Sequence, residues 1–210
     1  MISDRIIKIC GITREADALG AVAQGANALG FIFAPSTRKV DVETVHDIVK
    51  RVPKDILTVG VFRNADIDEI VEVVKTAQLS AVQLHGHESV ADVARIKSYV
   101  DTVIKAVVCD TQLLTEFDES DADFLLVDGE NPGSGEPHDF EPLRRVTLLT
   151  PVIAAGGLTP LTVGSVVRNY PVSGVDVSTG VESSPGIKDP VLVAQFVQAA
   201  RDGFSQQLPS

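Results

Sequence analysis

Two cysteines in 210 residues are too few for a disulfide framework, and neither sits in a CxxC spacing. A reducing cytoplasm is the expected compartment. No apolar run approaches the roughly 20 residues that a membrane-crossing helix needs, and the opening MISDRIIKICGIT lacks the apolar stretch and cleavage site of a secretory signal. Positive charge is scarce as well: 18 Lys and Arg stand against 29 Asp and Glu, a formal net charge of −11. An averaged surface of that sign repels nucleic acid and anionic membrane, so neither is an expected partner. A small anion can still bind, because that depends on local donors such as backbone N–H groups at a helix start. Cofactor and nucleophile signatures are missing too: there is no GxGxxG after a strand, no P-loop and no GxSxG elbow. Of His46, His85, His87 and His138, only His85-x-His87 has a close spacing, and it lacks further ligands nearby. Neither a metal nor another cofactor is expected.

What the chain does have is a repeated pattern. Short β-branched runs at 6–10, 28–33, 57–62, 81–84, 102–108, 124–128, 151–155 and 174–178 start 21 to 29 residues apart, about the length of a strand, a crossover helix and two loops. Between them, residues 16–24, 42–52, 67–76, 89–99, 161–169 and 190–204 place apolar side chains at helical spacing. The fifth and sixth helices, 111–117 and 141–145, are short, which lets eight units fit into so small a chain. Cap candidates are Thr13, Asp41, Asp66, and Thr159 followed by Pro160. These features predict an α/β fold, a single (β/α)8 TIM barrel over residues 1–204, with 205–210 as a frayed tail. A doubly wound open sheet is the main architectural rival, disfavoured by the count of eight.

In such barrels function gathers where strands end and the next loops begin. Cys10 ends the first strand, and alternation puts Lys8 and Cys10 on one face with Ile7 and Ile9 on the other. An ammonium below a thiol would lower its pKa and make a base or nucleophile; a buried structural cysteine is the plainer alternative. Asp128 ends the sixth strand beside a loop from Gly129 to His138, as a candidate general acid or a turn-forming Asp. Gly156 and Gly157 after the seventh strand, with Ser178, Thr179 and Gly180 after the eighth, form the usual barrel phosphate site, so a small phosphorylated substrate is the expected partner. Arg38 is either a solvated charge or a fork for a carboxylate. His85 can serve as proton carrier, substrate contact or cap, and Gln83 shares its face. Asp176 shares a face with Ser178, and barrel closure would bring it to Lys8 as an ion pair that weakens the effect of Lys8 on Cys10. Cys109 reads as structural and Asp110 as a loop residue.

Taken together, KICGIT, GFIFAPSTRKV, VGVF, VQLHG, LLVDG, AAGGL and GVDVSTGVESSPGIKD, in order along nearly the whole chain, resemble the phosphoribosylanthranilate isomerase family. The resemblance implies a cofactor-free Amadori rearrangement of N-(5-phosphoribosyl)anthranilate in tryptophan biosynthesis. It assigns Asp128 as general acid on the ring oxygen, Cys10 as general base on C2, and Arg38 to the anthranilate carboxylate. The late glycine-rich loops would take the phosphate, and a monomer or homodimer is expected. The chain departs from the family pattern at NPGSGEPHDFEPL after Asp128, at Lys39 in place of an aromatic, and at Arg63 in place of an apolar residue. Rival readings are a histidine-pathway aminoaldose isomerase, alone or as a second activity, and a non-catalytic barrel that binds a phosphorylated metabolite. Cys10 at the end of the first strand, where the former has an aspartate, stands against it.

Overall fold

Every expected strand forms, and each is followed by a crossover that brings the chain back to the same end of the sheet, so neighbours run parallel. The computed structural model describes residues 5–129 and 139–207. The strands are β1 (Ile6–Cys10), β2 (Ala28–Ile32), β3 (Leu57–Phe62), β4 (Ala81–Leu84), β5 (Thr102–Val108), β6 (Phe124–Asp128), β7 (Val152–Ala154) and β8 (Gly174–Val177). They pair in chain order and β8 returns to β1, closing the barrel and excluding the open sheet.

The helices are α1 (Glu15–Gln24), α2 (Val42–Val49), α3 (Ile67–Ala77), α4 (Val90–Lys97), α5 (Thr111–Asp118), α6 (Val163–Asn169) and α7 (Pro190–Gln206). Among the described residues only a 3-10 turn, Glu141–Arg144, follows β6, as the short sixth helix leads one to expect. By contrast α5, expected to be short as well, has eight residues like α2 and α4. Beyond β8, a second 3-10 turn (Thr179–Val181) leads into a small antiparallel hairpin, β9 (Glu182–Ser184) and β10 (Ile187–Lys188).

Boundaries differ where local turns compete with the periodic pattern. Residues 50–52 and 98–99 leave α2 and α4 as turns, while α7 continues past residue 204. Residues 130–138 and 208–210, which hold most of the loop after Asp128 and the end of the tail, lie outside the described residues. Asp41 and Asp66 cap α2 and α3 as expected, and Asp110, expected only in a loop, caps α5 through the Gln112 and Leu113 amides. Two expected caps are not caps. The Thr13 hydroxyl donates to the Gly186 carbonyl at 2.6 Å, and α1 begins from Arg14. The Thr159 amide donates to the Thr162 hydroxyl in a turn, so α6 starts only at Val163.

Period-two alternation separates two cores. Inside the barrel, Ile6, Leu57, Val59, Ile104, Leu126 and Ile153 form one apolar cluster, while Ile7, Ile9, Leu29, Val82 and Val127 face the helices in a second, larger one. Toward the C-terminal ends of the strands the interior turns polar, with Lys8, Gln83, Asp128 and Asp176 all buried. That end is where loops of independent sequence can meet around a site.

One buried cation lies on the outer face. Lys105 of β5 donates to the Gly86 carbonyl at 2.7 Å and to Glu88 at 3.0 Å, and so holds the loop that follows β4. Both side chains are at least nine-tenths buried. Removing one partner leaves the other as an uncompensated charge, so Lys105→Met should cost about 3–5 kcal/mol in urea unfolding. An unchanged unfolding midpoint would reject this account of the loop.

Candidate active site

The polar end of the barrel opens into a cavity of about 160 Å³ whose wall includes Cys10, Arg38, Gln83, His85, Asp128, Asp176 and Ser178. Six of the seven stand on a strand or on the first residue beyond it, because alternation aims every second side chain inward. Arg38 comes from the loop after β2.

Lys8 lies beneath this cavity, wholly buried on β1 directly opposite Asp176 of β8 in register. Its ammonium donates to Asp176 Oδ1 at 3.0 Å, the ion pair that barrel closure leads one to expect. Burial works against the charge, but Asp176 and Cys10 outweigh it and hold the Lys8 pKa above the ordinary lysine value.

Cys10 reverses one expectation. Lys8 does pull its thiol pKa down, as does Lys188, but loss of water around the thiolate is the larger effect and Asp176 adds to it, so the thiol is pushed up. The surroundings of Cys10 therefore favour the thiol over the thiolate. Cys109, half-buried on the other side of the barrel mouth, is pushed up to about 11 by burial and has no part in the cavity.

Asp128 makes the turn contact expected of it and also faces His85. One carboxylate oxygen accepts the Gly129 amide at 2.7 Å, a local turn contact, and the other lies 3.5 Å from His85 Nε2. The second ring nitrogen of His85, Nδ1, is 2.7 Å from the Gln83 side-chain amide. Gln83, His85 and Asp128 thus form a chain from β4 to β6. Gln83 Oε1 is the one buried polar atom of this group without a partner. Turning the amide over would make Oε1 the acceptor from Nδ1–H and let Nε2 exchange a proton with Asp128.

Arg38 is not a solvated charge. Its Nε and Nη2 donate to the two oxygens of Glu182 at 2.8 and 2.7 Å, and Nη2 also reaches the Thr179 hydroxyl at 3.2 Å. One side of the guanidinium, Nε and Nη2, is thus taken by a carboxylate belonging to the chain. Glu182 and Lys188, which the sequence reading passed over, are 4% and 2% exposed at their side chains and 2.8 Å apart. Their signal was a charged pair flanking Pro-Gly in GVESSPGIKD, which reads as a hairpin turn.

The late loops stand beside the cavity. Gly156 and Gly157 take φ values of 78° and 63°, successive left-handed residues that turn the chain sharply after β7. At Gly180 a side chain would strike the Leu158 carbonyl, so the two loops press together. Ser178, Thr179 and Gly180 open the 3-10 turn after β8 and are thereby set next to the Gly156–Gly157 turn. No group of three or more His, Cys, Asp or Glu side chains is arranged for a metal among the described residues.

Comparison with known proteins places this arrangement. Residues 7–199 match the family described as N-(5'phosphoribosyl)anthranilate (PRA) isomerase. A relative of that name from Rubrobacter xylanophilus is 38% identical over 202 residues, 93% of this chain and 98% of its own. Among solved structures, a phosphoribosyl anthranilate isomerase in complex with reduced 1-(o-carboxyphenylamino)-1-deoxyribulose 5-phosphate superposes with a TM-score of 0.81 at 33% identity, covering 94% of this chain and 98% of that one. Monomers generated from the dimeric Thermotoga maritima enzyme match with the same score, identity and coverage.

The balance around Cys10 can be measured directly. Thiolate ultraviolet absorbance of the wild type, less that of Cys10→Ser, should titrate above the ~8.5 of a free cysteine. Lys8→Met should move the midpoint higher still. A midpoint below the free value would mean that the flanking ammonium groups, not burial, dominate.

Proposed function

The chain belongs to the N-(5'-phosphoribosyl)anthranilate isomerase family, and on that premise we propose how its residues carry out the Amadori rearrangement of tryptophan biosynthesis. The observation that carries the reading is the meeting of Cys10 and Asp128, from two strand ends, with Arg38, from the loop after β2, in the wall of one cavity. An acid, a base and a cationic clamp around a common space are what proton transfer within a bound sugar requires.

Asp128, as the carboxylic acid, gives its proton to the furanose ring oxygen as the C1–O bond breaks, and the anthranilate nitrogen lone pair forms the iminium. His85, beside the Asp128 carboxylate, returns the proton for the next turnover. The iminium is a cation formed next to Cys10, and a nearby positive charge favours thiolate over thiol. The base that burial suppresses is thus favoured once ring opening has occurred. Cys10 releases its thiol proton to solvent, matched by the proton that His85 returns to Asp128, and the thiolate takes the C2 proton, giving an enolamine and restoring the thiol. Protonation at C1 and loss of the enol proton yield 1-(2-carboxyphenylamino)-1-deoxyribulose 5-phosphate. The bonds made and broken balance without an added cofactor.

The two remote ends of the substrate hold it between acid and base. Arg38 receives the anthranilate carboxylate, and the backbone amides of Gly156, Gly157, Thr179 and Gly180 with the Ser178 hydroxyl receive the phosphate. Lys8 and Asp176 act from below by setting the field at Cys10. Every proposed group comes from one chain, so the site is complete in a monomer or in a homodimer. No helix among the described residues is long and apolar enough to cross a membrane, and a place in amino-acid biosynthesis supports a cytoplasmic site of action.

Phosphoribosylanthranilate carries a fluorescent anthranilate, so its consumption is followed by loss of that signal. Cys10→Ser and Asp128→Asn should each lower kcat by at least ~10², the lower range for loss of a general acid or base. A near-normal rate in either variant rejects that assignment, and no signal loss with the wild type at high concentration rejects the activity.

A further inference from the structure

We propose that Glu182 is a positioning residue that presents one chosen edge of Arg38 to the substrate carboxylate. The inference rests on the reading of Arg38 as the carboxylate contact.

Glu182 is the first residue of the β9–β10 hairpin, which lies outside the barrel sheet and is tied across its mouth. Three contacts fix it there: Thr13 to the Gly186 carbonyl at 2.6 Å, the Lys188 amide to Asp17 at 3.1 Å, and the Asp189 amide to the Val181 carbonyl at 2.9 Å. A carboxylate on this bracket has little freedom. Its oxygens accept from Arg38 Nε and Nη2 and from Lys188 Nζ, all within 2.8 Å, and from the Gly186 amide at 3.3 Å. Burial opposes its ionisation, but the hydrogen bonds and charges of Arg38 and Lys188 prevail and hold its pKa below the usual carboxylate range.

A guanidinium has five N–H bonds. Glu182 takes Nε–H and one Nη2–H, and Thr179 takes the other Nη2–H. What remains for a ligand is the Nη1 edge. The stem is fixed as well: Gly11 has φ of +74°, and a Cβ there would come within 2.7 Å of Arg38 Cδ and 2.8 Å of the Ser178 hydroxyl. Arg38 is therefore clamped between Gly11, next to Cys10, and the hairpin. Its ordering precedes substrate binding, which lowers the entropy lost when a ligand carboxylate docks. Lys188 adds a second cation against Glu182, so that this carboxylate is shared between two cations and does not by itself offset the charge of Arg38.

The test is a double-mutant cycle read by the fluorescence assay on the full chain, with Arg38→Ala, Glu182→Gln and the pair combined. Each single variant should raise KM about tenfold or more while kcat changes less than about threefold, the pattern of a contact made equally in ground and transition states. The double variant should be no worse than Arg38→Ala within about twofold, because the contribution of Glu182 to carboxylate binding passes through Arg38. Should Glu182→Gln fail to fold by circular dichroism, Glu182→Asp keeps the charge and shortens the reach, with the same KM rise expected. Wild-type KM in a folded Glu182 variant, a kcat loss at constant KM, or additive effects would each overturn the proposal. Wild-type KM in Arg38→Ala would instead overturn the reading of Arg38 itself.

Discussion

Closure of the barrel seam, β8 against β1, sets Asp176 opposite Lys8 and so decides the electrical state of the catalytic end. A lysine with no exposed surface at the centre of a β-barrel is tolerable only with a partner, and the partner has to come from a strand 168 residues further along. Once the pair exists, the layer above it inherits a field that is nearly balanced. Cys10 feels Lys8 pulling its proton off and Asp176 keeping it on, and burial tips the balance toward the thiol. In the proposed mechanism that balance shifts when ring opening places a positive charge beside Cys10.

The same principle of local compensation reconciles the chain with its ligand. A protein of net charge −11 that receives a substrate bearing both a phosphate and a carboxylate cannot rely on its averaged field. The mouth supplies what the surface lacks. Arg38 and Lys188 surround Glu182, and the glycine-rich turns after β7 and β8 bring backbone close to backbone. In the proposed function, anion recognition at both ends holds the sugar between Asp128 and Cys10.

Much of this was legible beforehand because it depends on local periodicity. Five strands begin and end where alternation puts them, and Cys10, Asp128, His85 and Ser178 were identified by position at strand ends. The Lys8–Asp176 pair was legible too, since closure of a barrel of consecutive strands leaves the first and last as neighbours. The caps at Thr13 and Thr159 misled because their hydroxyls have better partners, one of them 173 residues away. Arg38 was legible only in part: its type and place suggest a fork for a ligand, while the residue that holds its Nε and Nη2 lies 144 positions later, on a hairpin too short to give a strand signal.

Amino-acid order by itself determined the eight-fold alternation, the parallel sense, the inward faces and the family likeness, all of which follow from residue type at fixed spacing along a strand or helix. Tertiary structure alone decided which charges pair, how much water each group loses and which edge of Arg38 stays open. Those properties come from groups brought together over long chain separations. Desolvation and Coulomb energy act through space, so the protonation of Cys10 and the orientation of Arg38 become defined only when the barrel has closed.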